Sequence, residues 1–211
     1  MNNGFTEIHT PKINFAGAEG GTNVFKLDYF GKTVFLAQSP QLYKQALVPV
    51  YERVFEVGPV FRAEHHDTSR HLNEYISMDF EMGFIDSFTD IMEMETGVLK
   101  YIMDLLKREY APEIELLKAD IPVVDKIPCI RFKDAKEMCV KKLKNITDMK
   151  DFEPEEEAFL GKWAKQQYGS DFLFVTHYLS KKRPFYTMDD PEDPEVTLSF
   201  DLLFRGTAIT S

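Results

Sequence analysis

Hydrophobic and polar residues alternate along residues 60–83, and this alternation predicts two β-strands joined by a long loop. Side chains of a strand point to opposite faces in turn, so Arg62 and Glu64 share one face of the first strand. The loop, from His65 to about Asn73, is longer than the roughly two to five residues that hairpins usually need. The return strand places four polar side chains on one face: Tyr75, Ser77, Asp79 and Glu81. We therefore predict a half-buried hairpin with a polar face.

The patterns on either side of this hairpin predict further strands and helices. Ser39 followed by Pro40 is typical of a helix start, so a short helix over residues 41–48 should project Gln41 and Lys44 from one side. Apolar periodicity and capping residues predict other helices over residues 87–110, 134–144 and 154–168. An edge strand is predicted from residue 4, ended by Pro11. Further strands are predicted over residues 24–30, 33–37, 172–178 and 196–205. This order of strands, helices and strands predicts an α+β fold, with an antiparallel β-sheet flanked by helices.

The bulk composition fits one sizeable globular domain. The chain has 211 residues, of which 44% are hydrophobic, and this is enough to bury a full core. Its apolar runs are only a few residues long and its start lacks the apolar core of a signal peptide, so we expect a cytoplasmic protein without a membrane span. A net charge of −10 argues against indiscriminate binding to nucleic acid, although a local basic patch stays possible.

The cysteines and one histidine offer little sign of metal or redox chemistry. Cys129 and Cys139 occur without a CxxC spacing or nearby histidines, so we expect buried thiols rather than a metal site or a disulfide. His177 lies in an aromatic strand and is interpreted as a packed histidine rather than a ligand. The chemistry is therefore expected elsewhere, on the polar face of the hairpin. An ordinary antiparallel sheet with one solvated face is the alternative interpretation of that face.

Two segments carry a specific resemblance to a known family. FLAQSPQLYKQ (residues 35–45) and GPVFRAEHHDTSRHLNEYISMDFEM (residues 58–82) resemble the catalytic domain of class II aminoacyl-tRNA synthetases, and within that class the aspartyl-tRNA synthetases of archaeal and eukaryotic type. The second segment matches motif 2 of the class, in which a strand with Phe-Arg-x-Glu is followed by a variable loop and a return strand. FTEIHTPKI resembles the end of motif 1.

The resemblance implies that residues 1–211 are a catalytic-domain fragment. It comprises the end of motif 1, motif 2, a helical insert over about residues 87–170, and strands up to just before the final active-site segments. On this view the anticodon-binding domain, motif 3 and most of the helix that mediates the family's homodimer are absent. We expect such a fragment to be inactive by itself.

The resemblance also implies the substrates and the residues that bind ATP. Enzymes of this family join aspartate to ATP and then transfer the aspartyl group to tRNA. Arg62 is the implied catalytic residue, because its planar guanidinium can bind the attacking carboxylate and the α-phosphate together. The other implied ATP-binding residues are Glu64, Arg70, His71, Leu72 and Tyr75, with Tyr75 stacking on adenine. Residues 65–69 are implied to touch the tRNA acceptor end.

The implied aspartate site centres on Lys44. A buried ammonium would pair with the side-chain carboxylate of aspartate, whereas asparagine would leave that charge unpaired. Gln41 is expected beside Lys44, Glu19 and Asp79 would receive the ammonium of the substrate, and Arg62 and Ser211 complete the implied set.

One position departs from the family pattern. Where the family has an acidic metal ligand after the Arg-Gly of the last strand, this sequence has Ala208, which offers magnesium no oxygen. Asp201, expected on the same strand, is the remaining candidate ligand for Mg²⁺. The departure leaves two alternatives to an aspartate–tRNA ligase core open: a paralogue that makes asparagine through aspartyl-adenylate, and a non-catalytic binding or regulatory fragment.

Overall fold

The computed structural model describes residues 3–15, 24–63, 72–144, 146 and 148–210. The chain divides into two compact units, Met1–Asp86 and Ser87–Ser211. We call them the N-terminal unit and the C-terminal unit.

The N-terminal unit contains two three-stranded sheets and one helix in its described residues. The sheets have the strand orders β1-β5-β6 and β2-β4-β3, and helix α1 packs against β5 and β6. The elements are β1 (Thr6–Glu7), β2 (Ile13–Asn14), β3 (Lys26–Tyr29), β4 (Lys32–Leu36), α1 (Gln41–Tyr51), β5 (Arg53–Phe61) and β6 (Glu74–Met82).

The predicted long hairpin is formed by β5 and β6, which pair antiparallel from Arg53–Met82 to Phe61–Glu74. Its first strand begins several residues before the predicted start. The smaller hairpin of β3 and β4 turns at Phe30 and Gly31, one residue earlier than predicted. Both turn residues have positive φ, 51° and 75°, as a type I′ turn requires.

The predicted edge strand that starts at residue 4 and ends at Pro11 is right in its edge position but wrong in extent. Only β1 and β2, two residues each, are extended and paired there, and β1 runs parallel to β5. Between them, the amide and hydroxyl of Thr10 donate to the Glu56 carboxylate instead of a neighbouring strand. Such local side-chain contacts compete with the regular ladder and interrupt the strand.

The C-terminal unit is a four-stranded sheet with helices. The strand order is β10-β9-β8-β7, in which β7 and β8 are parallel and the other neighbours antiparallel. The elements are α2 (Thr89–Glu109), α3 (Ala111–Leu117), β7 (Cys129–Arg131), α4 (Phe132–Lys142), α5 (Pro154–Tyr168), β8 (Phe172–Thr176), a short 3₁₀ turn (Ser180–Lys182), β9 (Phe200–Phe204) and β10 (Thr207–Thr210). The α+β class is confirmed, with one parallel pair in each of two sheets.

The core of this unit follows from β8, whose five residues are all buried. Leu173 and Val175 pack with α4 and α5 residues such as Phe132 and Leu160. On the opposite face, Phe172 and Phe174 pack with a second apolar cluster that includes Met92 of α2. A strand with both faces covered reads as a continuous apolar run, as FLFV does here.

The predicted helices are confirmed, with small shifts at their ends. Helix α5 has the predicted bounds, because Glu153 and Glu156 form a capping box at its start and Gly169, with φ 69°, closes it in the left-handed conformation. Helix α1 runs three residues beyond the predicted 41–48 segment and includes Pro49. Helix α3 was not predicted. No helix among the described residues is long and apolar enough to cross a membrane.

The expectation of two buried thiols is half right. Cys139 is fully buried in α4, whereas Cys129 is exposed, and both are free. Cys129 lies on β7, an edge strand of its sheet, which leaves one flank of the residue uncovered. His177 is packed edge-to-face against Phe88, with ring centroids 5.6 Å apart, and burial lowers its pKa.

Candidate active site

The hairpin of β5 and β6 has one polar and one apolar face, as predicted. We define the polar face as Val54, Glu56, Gly58 and Val60 of β5 together with Tyr75, Ser77, Asp79 and Glu81 of β6, which lie opposite one another in the register. The polar face is the better covered one: Glu56 is buried, and Asp79 and Glu81 are partly buried. On the apolar face, Val57, Ile76 and Met78 are 47%, 66% and 57% exposed. The polar side chains therefore form an organised, partly enclosed cluster.

Lys44 is brought to this cluster by helix α1. The Ser39 hydroxyl accepts a hydrogen bond from the Gln41 amide at 3.1 Å, which helps to start the helix there. One turn later Lys44 points onto β6 and is only 4% exposed, although lysines are almost never this buried unless they are paired. Its Nζ lies 2.6 Å from Asp79 Oδ1, 3.6 Å from Glu81 Oε2 and 3.4 Å from the Phe80 carbonyl oxygen.

The two carboxylates beside Lys44 are not held alike. Asp79 also accepts a hydrogen bond from the Ser77 hydroxyl at 2.9 Å, so both of its oxygens have donors. Glu81 is at ion-pair but not hydrogen-bond distance from Lys44. Burial raises the pKa of Glu81, and the nearby charge of Asp79 adds to the increase, whereas Lys44 and Gln41 act to lower it. Burial therefore favours the protonated form of Glu81.

A second ion pair lies next to this cluster on the polar face. Glu56, opposite Asp79, accepts hydrogen bonds from the amide and hydroxyl of Thr10 at 2.9 and 2.7 Å, and its Oε1 lies 2.9 Å from Lys12 Nζ. Burial disfavours the ionised form of Glu56, but the contacts with Thr10 and Lys12 outweigh it and lower its pKa. This pair ties the segment around Thr10 to the hairpin.

Gly58 accommodates the Glu56–Lys12 pair on the polar face. It lies opposite Ser77, and a Cβ at this position would be 3.2 Å from Glu56 Oε1 and 3.4 Å from Lys12 Nζ. The first distance is closer than side chains normally tolerate, so any larger residue would press on the Glu56–Lys12 pair. The absence of a side chain at Gly58 therefore makes space for the Glu56–Lys12 pair.

Arg62 extends the polar face at the loop end of the hairpin. Its amide donates to the Asn73 carbonyl at 2.9 Å, so pairing continues one step past the end of β5. Its guanidinium lies 5.8 Å from the centre of the Tyr75 ring, within the range of a cation–π contact. Its Nε is buried and has no hydrogen-bond partner in the described part of the chain. A partly buried arginine whose buried Nε has an unused N–H donor is suited to an anionic ligand.

Other sequence-predicted residues are less informative. Leu72 is 62% exposed at the end of the loop. Glu19, Glu64, Arg70, His71 and Ser211, with the loop tip at residues 65–69, lie outside the described residues, so their roles stay predictions.

The candidate metal ligand Asp201 differs from expectation in its position. It lies on β9, whereas Ala208 is on β10 beyond the turn at Arg205 and Gly206, so the two do not share a strand. Asp201 Oδ1 is 2.6 Å from Arg183 Nη2. Burial raises the pKa of Asp201, and Arg183 counteracts this increase.

The donors at Asp201 do not fit a protein-held magnesium ion. Arg183 occupies one oxygen of the Asp201 carboxylate, and Ala208 supplies no side-chain oxygen. No group of three His, Cys, Asp or Glu residues among those described could hold a metal.

Sequence reasoning missed Glu56, Lys12 and the role of Glu81. Glu81 follows Asp79 by two residues and so shares its face, a signal that was present in the alternation. The Lys12–Glu56 pair joins segments 44 residues apart, and nothing local in the sequence announces it.

Comparison with known proteins places these features in a family. All of residues 1–211 match the family model for tRNA synthetases class II (D, K and N). An aspartate–tRNA(Asp/Asn) ligase of Deinococcus radiodurans is 52% identical over 214 residues, covering 99% of this chain and 49% of the relative. The chain spans about half the length of such curated relatives.

Two solved structures have the same fold. The aspartyl-tRNA synthetase of Entamoeba histolytica matches with a TM-score of 0.83 and 33% identity, over 99% of this chain and 40% of that one. An asparaginyl-tRNA synthetase of Pyrococcus horikoshii, complexed with asparaginyl-adenylate, matches with a TM-score of 0.87 and 29% identity, over 98% of this chain and 48% of that one.

Proposed function

This chain belongs to the family of class II tRNA synthetases (D, K and N). On that premise we propose that it is the catalytic core of an aspartate–tRNA ligase. The proposed reaction activates aspartate with ATP and transfers the aspartyl group to tRNA. The relatives of 40–52% identity that are named aspartate–tRNA ligases support this assignment. We place the reaction in the cytoplasm, where translation consumes charged tRNA.

The observation that carries the choice of amino acid is the buried Lys44. An ammonium that is almost fully removed from water favours an anionic side chain over an amide of the same shape. Because Asp79 keeps Lys44 paired in either case, an amide in place of the carboxylate costs about one charged hydrogen bond, roughly 1.5–3 kcal/mol, or about tenfold to a hundredfold in specificity at about 1.4 kcal/mol per factor of ten. Asp79, anchored by Ser77 and Lys44, is placed to receive the ammonium of the substrate.

Arg62 is the proposed catalytic residue. In the first step, a carboxylate oxygen of aspartate attacks the α-phosphorus of ATP, a new O–P bond forms, and the bond to the bridging oxygen breaks to release pyrophosphate. In the second step, a ribose hydroxyl of tRNA attacks the activated carbonyl and AMP leaves. Neither step requires a protein nucleophile, only positioning and positive charge. The free Nε and the planar guanidinium of Arg62 supply positioning and positive charge for the first step. Tyr75 lies beside Arg62 and is proposed to stack on the adenine.

ATP–pyrophosphate exchange by the full-length protein tests this proposal. We expect exchange that depends on aspartate and is not supported by asparagine. Arg62→Lys, which keeps the charge but loses the fork, should lower the exchange rate by about tenfold to a hundredfold, the loss of one or two charge-assisted hydrogen bonds. Equal exchange with asparagine, or no exchange with either amino acid, would contradict the assignment.

A further inference from the structure

Ser77 lies in the middle of the polar face. It stands between Tyr75 and Asp79 on β6, opposite Gly58 on β5, and it is partly exposed. Residues two apart on a strand share a face, so the Ser77 hydroxyl projects between the proposed adenine contact, Tyr75, and the proposed ammonium contact, Asp79. A ligand that reaches both ends of the polar face must therefore pass Ser77.

The hydrogen bond that Ser77 makes determines what else it can bind. Its Oγ lies 2.9 Å from Asp79 Oδ2, and the other Asp79 oxygen lies 2.6 Å from Lys44 Nζ. An ionised carboxylate only accepts hydrogen bonds, so the single proton of the Ser77 hydroxyl is committed to Asp79. Among the described residues, Asp79 is the sole hydrogen-bond partner of this side chain. Ser77 can therefore bind a ligand only through the lone pairs of Oγ, as an acceptor.

An acceptor at this point suits a cationic ligand group rather than an anionic one. A carboxylate or phosphate oxygen would find no free donor at Ser77. An ammonium has three N–H donors, and its charge suits the neighbouring Asp79 carboxylate. Because Ser77 Oγ and Asp79 Oδ2 are 2.9 Å apart, one ammonium can contact both. Donation to a carboxylate also polarises the Ser77 hydroxyl and makes its oxygen a better acceptor.

We propose that Ser77 is a further amino-acid-binding residue, whose hydroxyl accepts a hydrogen bond from the α-ammonium of aspartate while it donates to Asp79. This inference rests on the proposed function, since it takes Asp79 as the partner of that ammonium. Asp79 supplies the negative charge, and Ser77 supplies a neutral acceptor with a fixed direction. The chemical group that the two residues recognise together is a primary ammonium.

The ribose of ATP is the competing donor at this position. A ribose hydroxyl can also donate to Ser77 Oγ, since Tyr75 is the proposed adenine contact. Charge favours the ammonium, because a hydrogen bond from an ionised donor is roughly twice as strong as one from a neutral donor. The two ligands predict different kinetics: losing an ammonium contact raises the KM for aspartate, whereas losing a ribose contact raises the KM for ATP.

ATP–pyrophosphate exchange by the full-length protein separates these cases. Ser77→Ala should raise the KM for aspartate by about tenfold to a hundredfold, the loss of a hydrogen bond to a charged group. The KM for ATP should change by less than about twofold, because the nucleotide contacts stay in place. Ser77→Thr, which keeps the hydroxyl and suits a strand, should restore the KM for aspartate to within about threefold of the wild type.

Ile76→Ala is the matched control on the same strand. Ile76 lies on the apolar face and is 66% exposed, so this change should leave both KM values close to those of the wild type. A crystal structure of the full-length protein with aspartate distinguishes a direct contact from a residue that only positions Asp79. The aspartate nitrogen should lie about 2.7–3.2 Å from Ser77 Oγ and from an Asp79 oxygen.

Several outcomes would overturn the inference. An unchanged KM for aspartate in Ser77→Ala, or a rise confined to the KM for ATP, would overturn it while leaving the proposed function standing. An aspartate nitrogen more than about 4 Å from Ser77 Oγ would do the same. Absence of aspartate-dependent exchange in the wild type would overturn both the inference and the proposed function.

Discussion

Two buried lysines, one in each unit, are paired in opposite ways. Lys136 in α4 is 3% exposed, and its Nζ contacts both Glu156 oxygens at 2.7 and 2.6 Å and the Asp151 carbonyl at 2.6 Å. Lys44 is equally buried, but it has one tight carboxylate and one loose one. The Lys136 cluster, Lys136 with Glu156, pairs one positive with one negative charge, and we call it closed because its contacts are all short. The Lys44 cluster, Lys44 with Asp79 and Glu81, has one positive and two negative charges and includes one long contact that a ligand could replace.

This difference separates a structural ion pair from a binding site. Glu156 also accepts from the Glu153 amide in the capping box of α5, so every strong contact of the Lys136 cluster is used within the fold. A buried pair with all of its bonds made resists change, and removing one partner is costly. The Lys44 cluster instead has two carboxylates for one ammonium, and one of these contacts is loose. Burial alone therefore does not identify a functional lysine, but the state of its partners does.

The largest stability effect is expected at the closed cluster. Lys136→Met should lower the free energy of unfolding by about 3–5 kcal/mol, because it leaves the Glu156 carboxylate buried without its cation. Denaturant titration followed by circular dichroism measures this loss. Lys133→Met, an exposed position on the same helix, is the control and should change stability little. A loss no larger than that of the control would show that the pair is not closed.

Lys44→Met should have a smaller effect on stability. Its two carboxylate partners are about a quarter exposed and can be hydrated when the lysine is gone, so we expect a loss of about 1–3 kcal/mol, the value of a charged hydrogen bond. The same titration measures it. A loss equal to that of Lys136→Met would mean that both lysines serve mainly the fold.

Replacing Glu81 and replacing Glu156 with glutamine should change the stability of the protein in opposite directions. The pKa of Glu81 is raised from its usual value of 4.5, so its ionisation in the folded state lowers stability as pH rises from that value through the raised pKa. Glu81→Gln should therefore be more stable than the wild type at neutral pH and similar to it in acid. Glu156→Gln should be less stable at neutral pH. Thermal melts across this pH range check both signs, and destabilisation by Glu81→Gln would contradict the charge imbalance.

The sequence predicts the secondary structure better than it predicts the ion pairs of the site. The hairpin alternation and the bounds of α5 follow from local rules of face, cap and glycine closure. The QSPQLYK segment indicated Lys44 only through resemblance, since an isolated helix pattern would place it at the surface. Its burial depends on how α1 packs against β6, and the Lys12–Glu56 pair depends on the parallel docking of β1. Such contacts are set by tertiary structure, which no local pattern contains.

The smallest expected effect is on the alkylation rates of the two cysteine thiols. Burial, with the nearby charge of Glu156, raises the pKa of Cys139 to about 12, so it should not react with iodoacetamide at neutral pH in the folded protein. Cys129 is an exposed residue, but burial of its thiol raises its pKa, so it should react slowly. Mass spectrometry of the alkylated protein gives both rates. Rapid labelling of Cys139 without unfolding would mean that the Lys136 cluster is not closed.

The most direct test of the account is the ratio of kcat/KM for aspartate over asparagine in ATP–pyrophosphate exchange, measured for the wild type and Lys44→Met of the full-length protein. We predict that the wild type prefers aspartate and that Lys44→Met lowers this ratio by about tenfold to a hundredfold, the equivalent of roughly 1.5–3 kcal/mol for one lost charged hydrogen bond. An unchanged ratio in Lys44→Met would contradict the claim that the unbalanced cluster reads the substrate's charge.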